Sequence, residues 1–226
     1  TLSVAANAQN DALELLELTR QSLEIYQEIG ELRGQTCALG NLGTAWLGLG
    51  DLAEARRYSE QALRLARAYG DRFLEANPLC ALSGIALYQD ENARALSLAQ
   101  SALDIVAATQ ARSWEAFALL RLGDAELALG RHSPAREAFA RARALAVEID
   151  DTLQHDASSG LARVALAQGD VAAALLAMQA VLDHLASGGT LEGTDARMIE
   201  WTMHRVLALA RDPRACEWLA RAHDAL

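Results

Sequence analysis

The chain has 226 residues and a formal net charge of −10, and 52% of its residues are hydrophobic but only 5% aromatic. Ala and Leu dominate and only three prolines occur, a composition that predicts an all-α protein. The negative charge argues against nucleic acid and anionic membranes as partners, and no apolar run is long enough to cross a bilayer.

Three cysteines, Cys37, Cys80 and Cys216, lie far apart and follow no metal-ligand spacing. Such a sparse, odd-numbered set is typical of reduced thiols, so we expect a cytoplasmic protein. The five histidines have no second ligand at metal spacing on one helix face, and no acid, base and nucleophile come together. We therefore expect no metal, no cofactor and no enzymatic activity.

The first predicted element is a partial repeat at residues 1–31. Asp11 followed by Glu14 is a helix N-cap signature, and Gly30 suits a left-handed helix end. Because the chain starts on half a repeat and at Thr1, we expect a fragment of a longer protein.

A step of forty residues then relates successive segments. The step links three pairs of alanines: Ala55 with Ala62, Ala95 with Ala102, and Ala135 with Ala142. It divides a single domain, 1–226, into full repeats at 32–70, 71–110, 111–150 and 151–189 and a last, truncated repeat at 190–226.

Each full repeat is predicted to be a pair of helices with one apolar stripe apiece. In the first, the helices run from Arg33 to Leu49 and from Leu52 to Tyr69, with Asp51 as the N-cap of the second. Gly70 suits the left-handed end of this hairpin.

Prolines mark several predicted helix starts. Pro78 should kink the first helix of the second repeat or start it late, with Asn77 as its cap. Ser133-Pro134 and Asp212-Pro213 each place a capping residue before a proline in a first helical turn.

The repeats resemble the tetratricopeptide family, in which a Leu-Gly pair and a large residue of the first helix precede two alanines of the second. The matching residues are Leu42-Gly43, Trp46, Ala55 and Ala62 in one repeat and Leu122-Gly123, Ala135, Phe139 and Ala142 in another. The resemblance implies a right-handed superhelical solenoid of antiparallel helix hairpins with these residues buried. The forty-residue period is similar to the longer-repeat subclass found in bacterial regulator arms and spindle-orientation adaptors.

The C-terminal segments 200–207, 212–215 and 219–223 resemble the final repeats of bacterial multidomain signal-transduction NTPases. That resemblance implies a regulatory or sensor arm of a larger signalling or transcription-regulator protein. The chain itself contains no GxxxxGK[ST] phosphate-binding motif.

Two hypotheses for function follow. The first is a scaffold that binds a protein or peptide segment, including another domain of its own parent chain. The alternative is a domain that senses a small effector and controls an attached NTPase, cyclase or DNA-binding head. A peptide binder needs polar groups spread along several repeats, whereas an effector binder needs one enclosed apolar pocket with a few polar anchors.

The tetratricopeptide resemblance implies that the first helix of each hairpin lines a concave groove, where a partner binds. Asn41 occupies a position where the family often uses Asn to bond a ligand backbone, and Arg121 and Arg163 could pair with a partner carboxylate. The alternative is that the polar residues only solvate an unused surface and the aromatics pack between repeats. The groove positions are Cys37, Asn41, Thr44, Asn77, Cys80, Ala81, Gly84, Trp114, Phe117, Arg121, Asp124, Asp156, Ser159, Gly160 and Arg163.

Overall fold

The structure, a computed structural model, describes residues 16–191 and 195–224, with side chains as far as Ala222. Within these residues the regular elements are helices and no strand occurs. The cap expected at Asp11 and Glu14 lies outside the described residues. No helix of the described part is both long enough and apolar enough to cross a membrane.

Helix α1 runs over residues 16–28 and is followed by five antiparallel pairs of helices. The pairs are α2 (Leu32–Gly48) with α3 (Leu52–Tyr69), α4 (Ala76–Tyr88) with α5 (Asn92–Val106), α6 (Arg112–Ala128) with α7 (His132–Glu148), α8 (Leu153–Ala167) with α9 (Val171–Ala186), and α10 (Ala196–Leu209) with α11 (Ala215–Asp224). The C-terminal residues, expected to hold a truncated repeat, thus contribute a helix pair.

The pairs stack into a solenoid. Each first helix packs on its own second helix and also on the first helix of the next pair, so that α2, α4, α6, α8 and α10 form one continuous layer. Each second helix also packs on the following first helix, which completes the second layer. The expected all-α, tetratricopeptide-like solenoid is confirmed.

Short acidic side chains start several helices. The Asp51 carboxylate accepts hydrogen bonds from the backbone N–H groups of Ala53 and Glu54, as predicted. Gly30 and Gly70 adopt the predicted left-handed conformation, with φ of 69° and 83°. The cap expected at Ser133 is wrong, because α7 already starts at His132 and has no side-chain cap.

The helix that contains Pro78 starts late, which is one of the two predicted outcomes: α4 begins at Ala76, whereas the equivalent α2 and α6 begin at Leu32 and Arg112. A short 3₁₀ turn, Arg72–Glu75, precedes α4, and the Asp71 carboxylate caps that turn by accepting from the N–H of Phe73. Pro78 is the third residue of α4, where its missing N–H has no acceptor to lose. Asn77 is therefore not a cap: it lies in the first turn, and its side chain is free for another contact.

Small residues let the two layers approach closely. The six alanines of the forty-residue step are all fully buried. A side chain at Gly43 of α2 would collide with Ser59 of α3, which shows how near these helices lie. Two residues expected in the core, Trp46 and Leu122, are only partly buried, although both pack against core clusters.

Phe139 fills the space between two glycines. Its ring is fully buried, and a Cβ added at Gly123 of α6 would lie 2.7 Å from its Cε1. A Cβ at Gly160 of α8 would collide with the same ring. One large side chain of α7 therefore fixes the spacing of the two first helices on either side of it.

Candidate functional site on the concave face

Three polar side chains join α2 to α4. Asn77 donates from Nδ2 to the Asn41 side-chain oxygen (3.1 Å), and its own oxygen accepts from the Thr44 hydroxyl (3.0 Å). Gly40 leaves room for this contact, since a Cβ there would lie 2.9 Å from Asn77 Nδ2. The side-chain oxygen of Asn41, the amide expected to bond a partner, thus already accepts a hydrogen bond from α4, although Asn41 itself stays exposed.

A cluster of charged residues joins α6 to α8. Arg163 donates to Asp124 Oδ1 (2.6 Å), and Arg121 lies 3.5 Å from Asp124 Oδ2. Each guanidinium also lies over an aromatic ring, Arg121 at 5.2 Å from the centroid of Phe117 and Arg163 at 5.4 Å from that of Phe139. Asp124 therefore already pairs with both of the arginines that were expected to bind a partner's carboxylate.

Burial would lower the pKa of Arg121, but nearby carboxylates outweigh it. The charges of Asp124, Asp195 and Asp156 raise the pKa of Arg121, so its guanidinium stays charged inside the cluster. Arg121 also covers α4, where its Nη1 would lie 3.5 Å from a Cβ added at Gly84.

Asp156 of α8 holds the start of α10. Its Oδ1 accepts from the backbone N–H of Asp195 (2.9 Å), and Asp195 in turn caps α10 by accepting from the N–H of Met198. Burial is the main cause that raises the pKa of Asp156 to about 7, and the N–H of Asp195 opposes it. Three residues further along α8, Ser159 donates to the Thr202 hydroxyl of α10 at 3.1 Å.

The cluster contains polar atoms with unmet hydrogen-bonding capacity. Within the described part of the chain, Arg121 Nε, Arg163 Nε and Asp156 Oδ2 are buried and have no hydrogen-bond partner. A buried polar group without a partner costs about 1–3 kcal/mol. The charged cluster between α6 and α8 therefore contains polar atoms that are not hydrogen-bonded within the described structure.

Five of the fifteen expected groove residues are buried and present no side-chain surface to a partner. Gly160 faces Phe139, and Gly84 is covered by Leu47 and Arg121. The Ser159 hydroxyl donates its hydrogen bond to Thr202. Cys80 and Ala81 are each 1% exposed. The five to be removed from the groove are Cys80, Ala81, Gly84, Ser159 and Gly160.

The remaining ten do not contribute equally. Cys37 and Asn41 are exposed, and the polar and charged positions of α2, α4, α6 and α8 are partly exposed. Trp114 and Phe117 meet edge to face with ring centroids 6.1 Å apart, and both pack against the central core. Their aromatic area is thus divided between the core and the groove, which agrees in part with the alternative that these rings pack between repeats.

Sequence reasoning missed two residues of this face, Asp195 and Arg197. The Arg197 guanidinium bonds the carbonyl oxygen of Gly48, at the far end of α2. The forty-residue step that relates Cys37 to Asn77 and Phe117 reaches Arg197 when it is continued from Ala157. The predicted groove ends at the fourth repeat and therefore does not include Arg197.

Two histidines of different helices also lie together, a contact that spacing along a single helix face does not predict. His155 of α8 is buried, and its ring centroid lies 4.4 Å from that of His184 on α9. Burial and the neighbouring His184 both lower the pKa of His155. The His184 ring also contacts the carbonyl of Thr190 at 2.9 Å. No group of three or more potential metal ligands occurs among the described residues.

Comparisons with known proteins agree with this architecture. The tetratricopeptide repeat family model matches residues 34–108. None of the curated proteins compared is significantly similar in sequence.

Three solved structures share the fold at low sequence identity. The Rap protein complexed with competence and sporulation factor superposes with a TM-score of 0.77 at 16% identity, over 96% of this chain and 63% of Rap. BtubC (BKLC) from P. vanneervenii superposes with a TM-score of 0.66 at 16% identity, over 95% of this chain and 90% of BtubC. A putative kinesin light chain with nearly identical TPR-like repeats from Podosopora anserina superposes with a TM-score of 0.60 at 17% identity, over 86% of this chain and 96% of the kinesin light chain.

Identities this low establish the fold alone. Together with the family match over residues 34–108, they identify the fold of the chain as a tetratricopeptide-like helical-repeat solenoid.

Proposed function

We propose that the chain binds an extended protein or peptide segment along its concave face. The observation that carries this proposal is the distribution of partly exposed polar side chains over four successive first helices. They are Asn41 and Thr44 on α2, Asn77 on α4, Arg121 and Asp124 on α6, and Asp156 and Arg163 on α8. A row of donors and acceptors along several repeats suits the regularly spaced carbonyl and N–H groups of an extended backbone.

The incomplete hydrogen bonding of the charged cluster supports the same proposal. A partner that supplies carbonyl or carboxylate oxygens to Arg121 and Arg163 would recover part of the cost of their unpaired Nε groups. The two arginines already share Asp124, so a partner oxygen would supplement or replace an existing contact rather than meet a free cation.

The small-effector alternative has less support. It predicts an enclosed apolar pocket, whereas the cavity at the ends of α3 and α5 is open to solvent and lined by Asp71, Arg72 and Asp104 beside Tyr69 and Phe73. The structural neighbour Rap, solved in complex with competence and sporulation factor, shows that a solenoid of this fold is compatible with a bound factor.

The test is a binding titration with a partner recovered by affinity capture. Asn41→Ala, Arg121→Ala and Arg163→Ala should each weaken binding by about five- to fiftyfold, since each removes a hydrogen bond, two of them charge-assisted. Arg64→Ala is the matched control, because this arginine is exposed on α3, in the other layer. Circular dichroism confirms that each variant folds. If all three variants bind as wild type does, the concave face is not the binding surface.

We further propose that the chain is the cytoplasmic regulatory arm of a larger bacterial signalling or transcription-regulator protein. The likeness of its C-terminal segments to signal-transduction NTPases supports this, and the thiols of Cys37, Cys80 and Cys216 are all free. The longer protein should hydrolyse ATP, while residues 1–226 alone should not. A parent gene without a phosphate-binding loop would contradict the assignment.

A further inference from the structure

One hydrogen bond joins the two ends of the helix array across its concave face. The guanidinium of Arg197, in the first turn of α10, donates to the carbonyl oxygen of Gly48, the last residue of α2. The two residues are 149 positions apart in sequence. Because α10 packs on α8, α9 and α11 while α2 packs on α3 and α4, the bond connects helices from opposite ends of the array.

The acceptor is a group that helices leave without a partner. The final carbonyls of a helix have no N–H donor within it, and they form the negative end of its dipole. The carbonyls of residues 45–47 accept N–H groups of the turn that follows α2, and the carbonyl of Gly48 accepts the charged group of Arg197. Arg197 therefore serves as a C-terminal cap of α2 that comes from the last helix pair.

The position of α10 relative to α8 is fixed separately. Asp156 accepts from the N–H of Asp195, two residues before Arg197, and Ser159 bonds Thr202 in the buried interface between α8 and α10. Arg197 is thus held on one side by a firm junction. Whether its guanidinium reaches Gly48 depends on how tightly the array from α2 to α8 is curled.

We propose that Arg197 is a latch that keeps the solenoid curled across its concave face. With the bond made, the first and last of the first helices are held near each other. With the bond released, the array straightens and the space between α2 and α10 widens. That such widening admits a partner rests on the proposed function; the latch itself does not.

The native cysteines allow the latch to be tested without adding any. Cys37 on α2 and Cys216 on α11 are exposed, whereas Cys80 is buried and burial raises its pKa to about 12. A donor and an acceptor dye on Cys37 and Cys216 therefore report the separation of the two ends by single-molecule energy transfer. Arg197→Ala should shift the population to lower transfer efficiency, and Arg197→Lys, which keeps the charge with a different reach, should shift it less.

Arg205→Ala is the matched control, since Arg205 is exposed on the same helix, and it should leave the efficiency unchanged. Small-angle scattering of unlabelled protein should show a larger radius of gyration for Arg197→Ala than for Arg205→Ala. If both substitutions leave efficiency and radius as in wild type, there is no latch. That outcome would not affect the proposed function, which depends on the affinities of the Asn41, Arg121 and Arg163 variants.

Discussion

Asp156 both positions a helix and carries a charge that its burial makes unfavourable. Its carboxylate orients α10 through the N–H of Asp195 and lies among Arg121, Asp124 and Asp195, with Oδ2 buried although the residue as a whole is partly exposed. The two arginines of the cluster face three carboxylates, so ionised Asp156 gains only part of the charge compensation that its burial requires. Its contribution to folding should therefore depend on pH.

The sign of that dependence follows from the direction of the pKa shift. The unfolded chain has an aspartate pKa near 3.8, and the folded chain has a pKa of about 7 at Asp156, so the folded state binds the proton more tightly. The stabilisation from this group is present in full below pH 4 and is lost as the pH rises to 7. At pH 8 the folded protein carries the whole cost of the ionised, buried carboxylate.

Asp156→Asn should therefore stabilise the protein at high pH. The amide keeps an oxygen that can accept from the N–H of Asp195 but removes the buried charge. We expect urea denaturation to show a gain of about 1–2 kcal/mol at pH 8, and a gain of less than about 0.5 kcal/mol at pH 5. Asp183→Asn, an exposed site on α9, measures the effect of removing one negative charge elsewhere. Equal gains for both variants at pH 8 would contradict the assignment.

Packing of one helix on the next depends on where each glycine lies. Gly43 faces α3, and a Cβ there would collide with the Ser59 hydroxyl and lie 3.1 Å from the Ser59 nitrogen. The backbone of α3 cannot move away without disturbing Ala55 and Ala62, which are fully buried on the same face. Gly48, five residues later in α2, has nothing within 4 Å of an added Cβ.

Gly43→Ala and Gly48→Ala should consequently have opposite effects on stability. Gly43→Ala overpacks the α2–α3 interface and should lower the free energy of unfolding by about 1–3 kcal/mol. Gly48→Ala removes a flexible residue from a helix at an open position and should raise it by up to about 1 kcal/mol. Thermal and urea denaturation of the two variants provide the measurement. A Gly43→Ala protein as stable as wild type would show that α2 and α3 are not in close contact there.

Across the whole molecule the core is divided along the solenoid. The three largest clusters join α1 to α3, α4 to α8, and α8 to α11, the last with Met178, Met203, Leu207 and Trp218, and a smaller one joins α2 and α3 to α4. In such an array each pair is stabilised mainly by its neighbours. A defect in one cluster should therefore loosen its own end before it affects the other.

Met203→Ala tests this division. Met203 is fully buried on α10, and its truncation should cost about 2–5 kcal/mol. Hydrogen exchange should speed up in α9, α10 and α11 while α2 and α3 keep their protection. Leu209→Ala, at a site 57% exposed on the same helix, should change neither the stability nor the hydrogen exchange of these helices. An equal loss of protection in α2 and α10 would instead indicate a single cooperative unit.

The sequence by itself determined the local architecture. The forty-residue step, the apolar stripes and the fully buried alanines depend on neighbours a few residues apart or on one repeat packing on the next, so their spacing is visible in a single chain. That the first helices line a concave groove came from the tetratricopeptide resemblance and stays a prediction. Sequence reasoning failed for the caps expected at Asn77 and Ser133, because Asp71 caps the 3₁₀ turn before α4 and α7 starts at His132 without a side-chain cap.

The tertiary structure decided which groove residues are accessible and what they contact. Arg163 with Asp124 and Asp156 with Asp195 join residues about one repeat apart, and their bonds depend on how neighbouring first helices rotate against each other. His155 meets His184 only because α8 and α9 turn those faces together. The contact of Arg197 with Gly48 depends on the accumulated curvature of the whole array. Curvature is the sum of small rotations at every helix interface, and it cannot be predicted from the spacing of residues along the chain.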